Sequence, residues 1–196
     1  MSYREAASLR SPARSGAPPA SPLRKPFRLS AEVYSAGHCF SATIVTSDRR
    51  PLFANASRAN KAIACLRESA THLDAEIYAY CFMPDHLHLL ARTPEGVRFD
   101  EFMRHFKQLS GFRLPREPGT VRVWQPSYYD HALRREEDLE VTLRYILDNP
   151  VRAGLVTQAD EYTFVGSFEW DLTPDAPEGA GLRDGLRDRP GAAGRS

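Results

Sequence analysis

Cysteine is scarce in this chain and odd in number. Cys39, Cys65 and Cys81 stand in no CxxC spacing, so neither a disulfide framework nor a thiolate zinc site is indicated. Long apolar runs are missing too. No stretch approaches the ~18 residues that span a bilayer, and the N-terminus lacks a signal-peptide apolar core. The expectation is a soluble cytoplasmic protein with no membrane partner. Charge of one sign is also lacking. The net charge is +1, and residues 27–172 hold 17 Lys/Arg against 20 Asp/Glu, a balance of −3. Any affinity for phosphates must therefore come from local clustering, because no global field of the right sign exists.

The 196 residues suit one domain of ordinary size. Its expected limits follow from composition. Residues 1–26 contain SPARSGAPPASPLRKP and a single acid, Glu5; residues 173–196 read TPDAPEGAGLRDGLRDRPGAAGRS. Gly, Pro and paired charges replace apolar periodicity in both, so they are expected to be disordered tails around a folded domain at 27–172.

Within that domain, Val33 to Thr46 is rich in β-branched and aromatic residues and reads as a first strand. A helix follows, capped at Asn55 or Ser57, with Ala59, Ile63, Leu66 and Ala70 at helical spacing up to about Leu73. Glu76 to Phe82 alternates Ile77, Ala79 and Cys81 against Tyr78, Tyr80 and Phe82, and a Met-Pro-Asp turn leads into His86 to Ala91, predicting a β-hairpin. Phe99, Phe102, Met103, Phe106 and Leu109 form the next helical stripe. Arg113 to Val123 reads as an edge strand or an ordered loop. A last helix is expected from about Glu136 to Asp148, stopped by Asn149-Pro150. This order predicts an α+β fold: a ferredoxin-like antiparallel sheet with helices on one face. Leu87 and Leu89 would point under the helices, leaving His86 and His88 on the opposite face.

Two imidazoles one residue apart on a strand project from the same face, so His86 and His88 can hold one metal ion. Tyr145 and Asn149 lie four apart at a helix end and so stack on one side of it, where they would supply a nucleophile and a third ligand. Counting ~100° per residue, Leu139, Leu143, Ile146 and Leu147 share one arc, with Tyr145 well outside it, so Tyr145 is not an obvious core tyrosine. Two imidazoles and an amide oxygen leave coordination positions for water and phosphate, a set that suits Mg²⁺ or Mn²⁺ and would also accept Zn²⁺ or Ni²⁺.

The best basic cluster contains Arg98, Arg104, Lys107, Arg113, Arg116 and Arg122, against Asp100, Glu101 and Glu117. It offers a track for a phosphate backbone, and Trp124, Tyr128 and Tyr129 offer surfaces on which bases could stack. A solvated helix face and packing at a sheet edge are the competing readings of these two groups. His38, His105 and His131 are weaker candidates for metal binding or proton transfer.

MPDHLHLL, then FMRHFKQLSG, WQPSYYDHALRREEDL and YILDNPVRAGLV, in this order and spacing, resemble the REP-associated tyrosine transposases of the single-domain HUH (His-hydrophobe-His) superfamily. The similarity spans about Val33 to Phe168. It implies an HUH endonuclease-type domain that cuts and rejoins single-stranded DNA at palindromic hairpins through a 5′-phosphotyrosine. Residue by residue, it implies that His86 and His88 are the HUH metal pair, Tyr145 the nucleophile and Asn149 the polar residue completing the metal site. Asp85 stands where Asn often precedes the first histidine, a change at a turn that is expected to matter little. The resemblance also implies a prokaryotic, nucleoid-associated setting, and leaves monomer and homodimer both open.

Three activities of different class remain compatible with the residues. One is the strand transferase just described. The second is a domesticated hairpin-binding protein that no longer cuts, which requires His86 and His88 or Tyr145 to be misplaced in space. The third is a metal-dependent phosphodiesterase using water, with Tyr145 as a spectator.

Overall fold

In the computed structural model the described residues are 39–115, 122–133 and 136–170. The expected tails and Arg116 lie outside them, as does the expected start of the first strand. Five strands form one antiparallel sheet: β1 (Cys39–Val45), β2 (Glu76–Met83), β3 (His86–Arg92), β4 (Tyr129–Ala132) and β5 (Val165–Gly166), ordered β4-β1-β3-β2-β5. The helices are α1 (Ala56–His72), α2 (Phe99–Arg113), α3 (Glu136–Leu147) and the single turn α4 (Asn149–Arg152). The first four strands and α1 and α2 thus give the ferredoxin-like order expected.

Alternation along the central strands builds the first core layer. Phe40, Ala42 and Ile44 of β1 and Leu87, Leu89 and Ala91 of β3 are buried with Phe99, Phe102, Met103 and Phe106 of α2 and with Ala59, Ala62 and Leu66 of α1. Phe40 stacks on Phe99 with ring centroids 4.4 Å apart. α1 starts where its sequence says it should, since the Asn55 side chain accepts a hydrogen bond from the Arg58 backbone N–H at 3.1 Å.

The expectation of helices on one face holds for α1 and α2, but α3 packs on the other. Leu139, Leu143 and Ile146 bury against Tyr78, Ala79, Cys81, Met83 and Leu90. The reason lies in β2, seven of whose eight residues are buried, so both of its faces need cover. Its simple alternation also fails: the register shifts between Ile77 and Ala79. Beyond that bulge Tyr80 and Phe82 share the α1–α2 side with Ile77, while Tyr78, Ala79 and Cys81 share the α3 side.

The fourth strand lies beyond the segment expected to be either an edge strand or an ordered loop. Residues 116–121 lie outside the described residues, and the strand pairing with β1 is Tyr129–Ala132. Trp124 contributes only an isolated bridge to Thr46. β5, which pattern alone did not indicate, pairs with the far edge of β2 through Tyr80–Gly166 and Cys81–Val165. A glycine is needed there, because a Cβ on residue 166 would sit 2.7 Å from the Tyr80 hydroxyl. Among the described residues no helix is long and apolar enough to cross a membrane.

Candidate active site

The hairpin loop joining β2 to β3 sets where the first histidine begins. Its two turn residues, Pro84 and Asp85, are anchored through their carbonyls: Phe53 N–H donates to Pro84 O at 3.0 Å, and the Thr46 backbone and hydroxyl both donate to Asp85 O at 2.9 Å. Strand alternation then puts His86 and His88 on the α3 face of the sheet, with Leu87 and Leu89 beneath α1 and α2. The ring nitrogens His86 Nε2 and His88 Nε2 approach to 3.0 Å.

Each imidazole is held from behind through its other nitrogen. Asp85 Oδ1 is 2.5 Å from His86 Nδ1, and the same carboxylate meets Arg49 at 3.3 Å. Thr43 Oγ1, directly across the β1–β3 ladder, is 3.0 Å from His88 Nδ1. Burial pushes the His88 imidazole down to about 4, helped by the nearby charges of His86 and Arg152. Burial alone would raise the Asp85 carboxyl, but hydrogen bonding and charge from His86, then Arg49, hold it below its ordinary value. Asp85 is therefore more than a tolerant turn residue: its carboxylate orients His86.

Tyr145, on the last turn of α3, brings its ring to the same place. Its centroid lies 6.1 Å from that of His88, edge to face, and the residue is 46% exposed. The helix-angle argument thus holds, for Leu139, Leu143 and Ile146 bury while Tyr145 stays at the border. Asn149 is buried, and its side-chain amide donates to Tyr145 O at 2.8 Å, satisfying a carbonyl at the end of α3 and leaving the amide oxygen to accept. Arg152 lies over the Tyr145 ring, its guanidinium carbon 4.4 Å from the ring centroid. Sequence reasoning missed Arg152, Thr43 and the role of Asp85. A signal for Arg152 existed, since seven residues beyond Tyr145 is about two helical turns.

The histidines fit a divalent cation. Two donors at right angles on an ion with bonds of ~2.1 Å lie ~3.0 Å apart, the separation seen between the two Nε2 atoms. A neutral His88 is ready to donate its lone pair, and the Asp85 and Thr43 contacts are of the kind that fix a ligating imidazole's tautomer and orientation. Among the described residues no group of three His, Cys, Asp or Glu side chains is placed to hold a metal. A third protein donor would then have to be of another type, such as an amide oxygen.

The candidate nucleic-acid residues divide. β4 pairs Tyr129 with Thr43, itself paired with His88, so Tyr129 shares the histidine face of the sheet, 56% exposed. Trp124 does not serve as a stacking surface. It is 4% exposed, packed against Phe53 and Phe106, with Nε1 donating to Ser110 Oγ at 2.8 Å, because that segment closes the core beside α2. Tyr128 is half-buried against Phe99. Several basic residues are already engaged: Arg98 with Asp100, Arg113 with Glu68, and Lys107 Nζ with the carbonyls of Gln125 at 2.6 Å and Pro126 at 2.9 Å. Arg104, Lys107 and Arg122 line a cavity of about 560 Å³ with the exposed Phe112. Its α2 wall belongs to the layer opposite the histidines, so the basic cluster and the Tyr145 site do not share a face. His105 bonds Ser69 and stacks on His72, also in the helical layer. His131 is exposed on β4, and His38 lies outside the described residues.

A sheet that presents a histidine pair to a tyrosine from the neighbouring helix, within one chain, defines a class of tyrosine-bearing HUH-type domain. Residues 37–149 match the family model described as "Transposase IS200 like", and the chain belongs to that family. Among curated proteins it is similar to the REP-associated tyrosine transposase of Escherichia coli (strain K12), 32% identical over 97 residues, which is 50% of this chain and 56% of that protein. It also resembles a putative REP-associated tyrosine transposase of Haemophilus influenzae (strain ATCC 51907 / DSM 11121 / KW20 / Rd), 28% identical over 71% of this chain and 84% of that protein. The fold matches a solved REP-associated tyrosine transposase bound to a REP hairpin, with a TM-score of 0.62, 24% identity, and coverage of 72% of this chain and 82% of that one. The resemblance drawn from the motifs is borne out.

Proposed function

We propose that this chain nicks and rejoins single-stranded DNA at palindromic hairpins, with Tyr145 as nucleophile and His86, His88 and Asn149 as ligands of Mg²⁺ or Mn²⁺. The observation that carries the reading is the meeting of Tyr145 with the histidine pair, ring to ring at 6.1 Å. The DNA substrate is suggested by the relatives, one of which is bound to a REP hairpin.

A phosphodiester resists attack because its oxygens repel the incoming nucleophile. A divalent cation held by the two imidazoles and the Asn149 amide oxygen would neutralise developing charge and orient the scissile phosphate. The chain's own residues do the rest. The Tyr145 phenol oxygen attacks phosphorus, the P–O3′ bond breaks, the phenol proton is lost and the departing oxygen takes one up. The products are a 5′-phosphotyrosine and a free 3′-OH, and attack by a 3′-OH in reverse rejoins strands without ATP. Tyr129, exposed on the same face, offers a stacking surface for a base of the strand being cut. Arg104 and Arg122, in the cavity beside α2, offer phosphate contacts to another stretch of the same DNA.

The test is covalent trapping. A labelled hairpin oligonucleotide incubated with the protein in Mn²⁺ should migrate with the polypeptide under denaturing conditions, and chelation or Tyr145→Phe should abolish that adduct while hairpin binding persists. Cleavage in Tyr145→Phe without an adduct would instead establish hydrolysis by water. An adduct of undiminished yield would remove Tyr145 from the reaction.

A further inference from the structure

The segment Asn149-Pro150-Val151-Arg152-Ala153-Gly154-Leu155 is more structured than holding one ligand requires. Pro150 occupies the start of α4. At the other end Gly154 N–H bonds Val151 O at 2.9 Å and Leu155 N–H bonds Pro150 O at 2.9 Å, with Gly154 at φ +68°. Those two crossed bonds are the Schellman closure, which needs a residue in the left-handed region and so favours glycine. A single turn of helix is thereby held at both ends, and the side chain it carries toward the site is Arg152.

Arg152 differs from most of the arginines whose partners are seen, sharing only with Arg67, which lies 3.9 Å over the Phe168 ring, a partner that is aromatic and not acidic. Arg49, Arg98, Arg113 and Arg144 each meet a carboxylate, respectively Asp85, Asp100, Glu68 and Glu140. Among the described residues the Arg152 guanidinium makes no salt bridge or hydrogen bond; its carbon lies 4.4 Å from the Tyr145 ring centroid, and its charge reaches the nearby His88 imidazole. The residue is exposed, as Tyr145 is in part, so its guanidinium is accessible to a ligand beside that ring. A guanidinium held against a ring and hydrogen-bonded to nothing keeps its N–H groups available, and their fork matches the oxygens of a phosphate.

We infer that Arg152 is a substrate-binding residue, which grips a phosphate of the strand at the cleavage point while its guanidinium, seated over the Tyr145 ring, fixes the phenol that attacks. The inference deepens the function proposed above and rests on Tyr145 being the nucleophile. One side chain then does two things: it fixes the phenol's direction, and it supplies a positive charge where the phosphoryl oxygens become more negative. The likeness in fold to a hairpin-bound protein does not single out this residue; the contact with the Tyr145 ring and the exposed, unpaired guanidinium do.

The experiment uses the full chain with Arg152→Gln, Arg152→Lys and Tyr145→Phe, and a labelled hairpin oligonucleotide carrying single-stranded flanks. Adduct formation is timed at saturating DNA in Mn²⁺, and hairpin affinity is measured across salt concentrations with the divalent cation chelated. Arg152→Gln is expected to slow the adduct roughly 100-fold and to shallow the plot of log affinity against log salt by ~0.7, one phosphate contact on a single strand. Arg152→Lys should restore the slope, since a cation remains, but only part of the rate, since an ammonium cannot reproduce the guanidinium's contact with the ring or its forked donors. A wild-type rate in Arg152→Gln overturns the inference, and so does a slow rate with an unchanged salt slope, which would leave Arg152 a purely structural support. An adduct in Tyr145→Phe would overturn the underlying assignment of the nucleophile instead.

Discussion

Thr43 and His88 face each other across the β1–β3 ladder, and the hydroxyl of one lies 3.0 Å from Nδ1 of the other. The contact settles which nitrogen of His88 is turned toward His86, so the second strand of the sheet orients the site as much as the strand that bears it. Thr43→Val keeps the side-chain shape and removes the hydroxyl. Divalent-metal affinity, read by titration calorimetry with Mn²⁺, should fall about 10-fold, the usual scale for a lost partner behind a ligating imidazole. The urea midpoint should stay within about 0.5 kcal/mol of wild type. An unchanged metal affinity would show that Thr43 does not orient the ligand.

The half-buried position of His88 makes a prediction about pH. Its folded value is about 4 against an ordinary 6.5, so between those values the unfolded chain binds a proton that the folded chain refuses. Stability therefore rises with pH through this window and is lost as pH falls from 6.5 toward 4. Asp85, held below its ordinary 3.8, contributes stability that is lost only as pH drops beneath that value. Urea midpoints of the metal-free protein at pH 7 and pH 5 should therefore differ, and the difference should shrink in His88→Gln. An equal drop in both proteins would assign the pH dependence to other groups.

Much of this architecture can be read from residue periodicity, and the parts that cannot have identifiable causes. The stripe of Phe99, Phe102, Met103 and Phe106 marks one face of α2 because helical spacing is long and regular there. His86 and His88 share a face because a strand repeats every second residue. β4 and β5 escape such reasoning because they are short: β4 is largely exposed, and β5 has only Val165 and Gly166. The bulge in β2 hides a second buried face behind what looks like plain alternation. Tyr145 can be placed from its angle on α3, whereas Thr43 meets His88 only through strand register, which the local sequence of neither strand fixes.

Trp124 and Tyr129 separate packing from recognition. Trp124→Phe deletes the indole N–H that reaches Ser110 and leaves a small void among Phe53 and Phe106. It should cost about 1–3 kcal/mol of stability, with hairpin affinity unchanged under conditions where the variant is folded. Tyr129→Ala should show the opposite pattern, its ring being 56% exposed. Stability should hold, and affinity for single-stranded DNA should fall roughly 10-fold, the scale of one lost base stack. Paired urea titrations and fluorescence-anisotropy binding curves distinguish the two, and a binding defect confined to Trp124→Phe would reverse these assignments.

Gly154 links the stability of one helical turn to the chemistry proposed for Tyr145. At φ +68° an alanine is strained by its backbone alone, because a Cβ at that position would meet nothing within 4 Å. Gly154→Ala should therefore cost about 1 kcal/mol in the urea midpoint. Its larger effect should be on rate, since loosening the closure of α4 releases Arg152 from the Tyr145 ring and lets the phenol wander. Asparagine tolerates the left-handed conformation better than alanine, so Gly154→Asn should recover much of both losses. Single-turnover adduct formation on a hairpin oligonucleotide, measured beside the urea curves, decides the matter. A rate unchanged in Gly154→Ala would uncouple α4 from the nucleophile, and equal defects in the alanine and asparagine variants would show that backbone conformation at residue 154 is not what holds Arg152 in place.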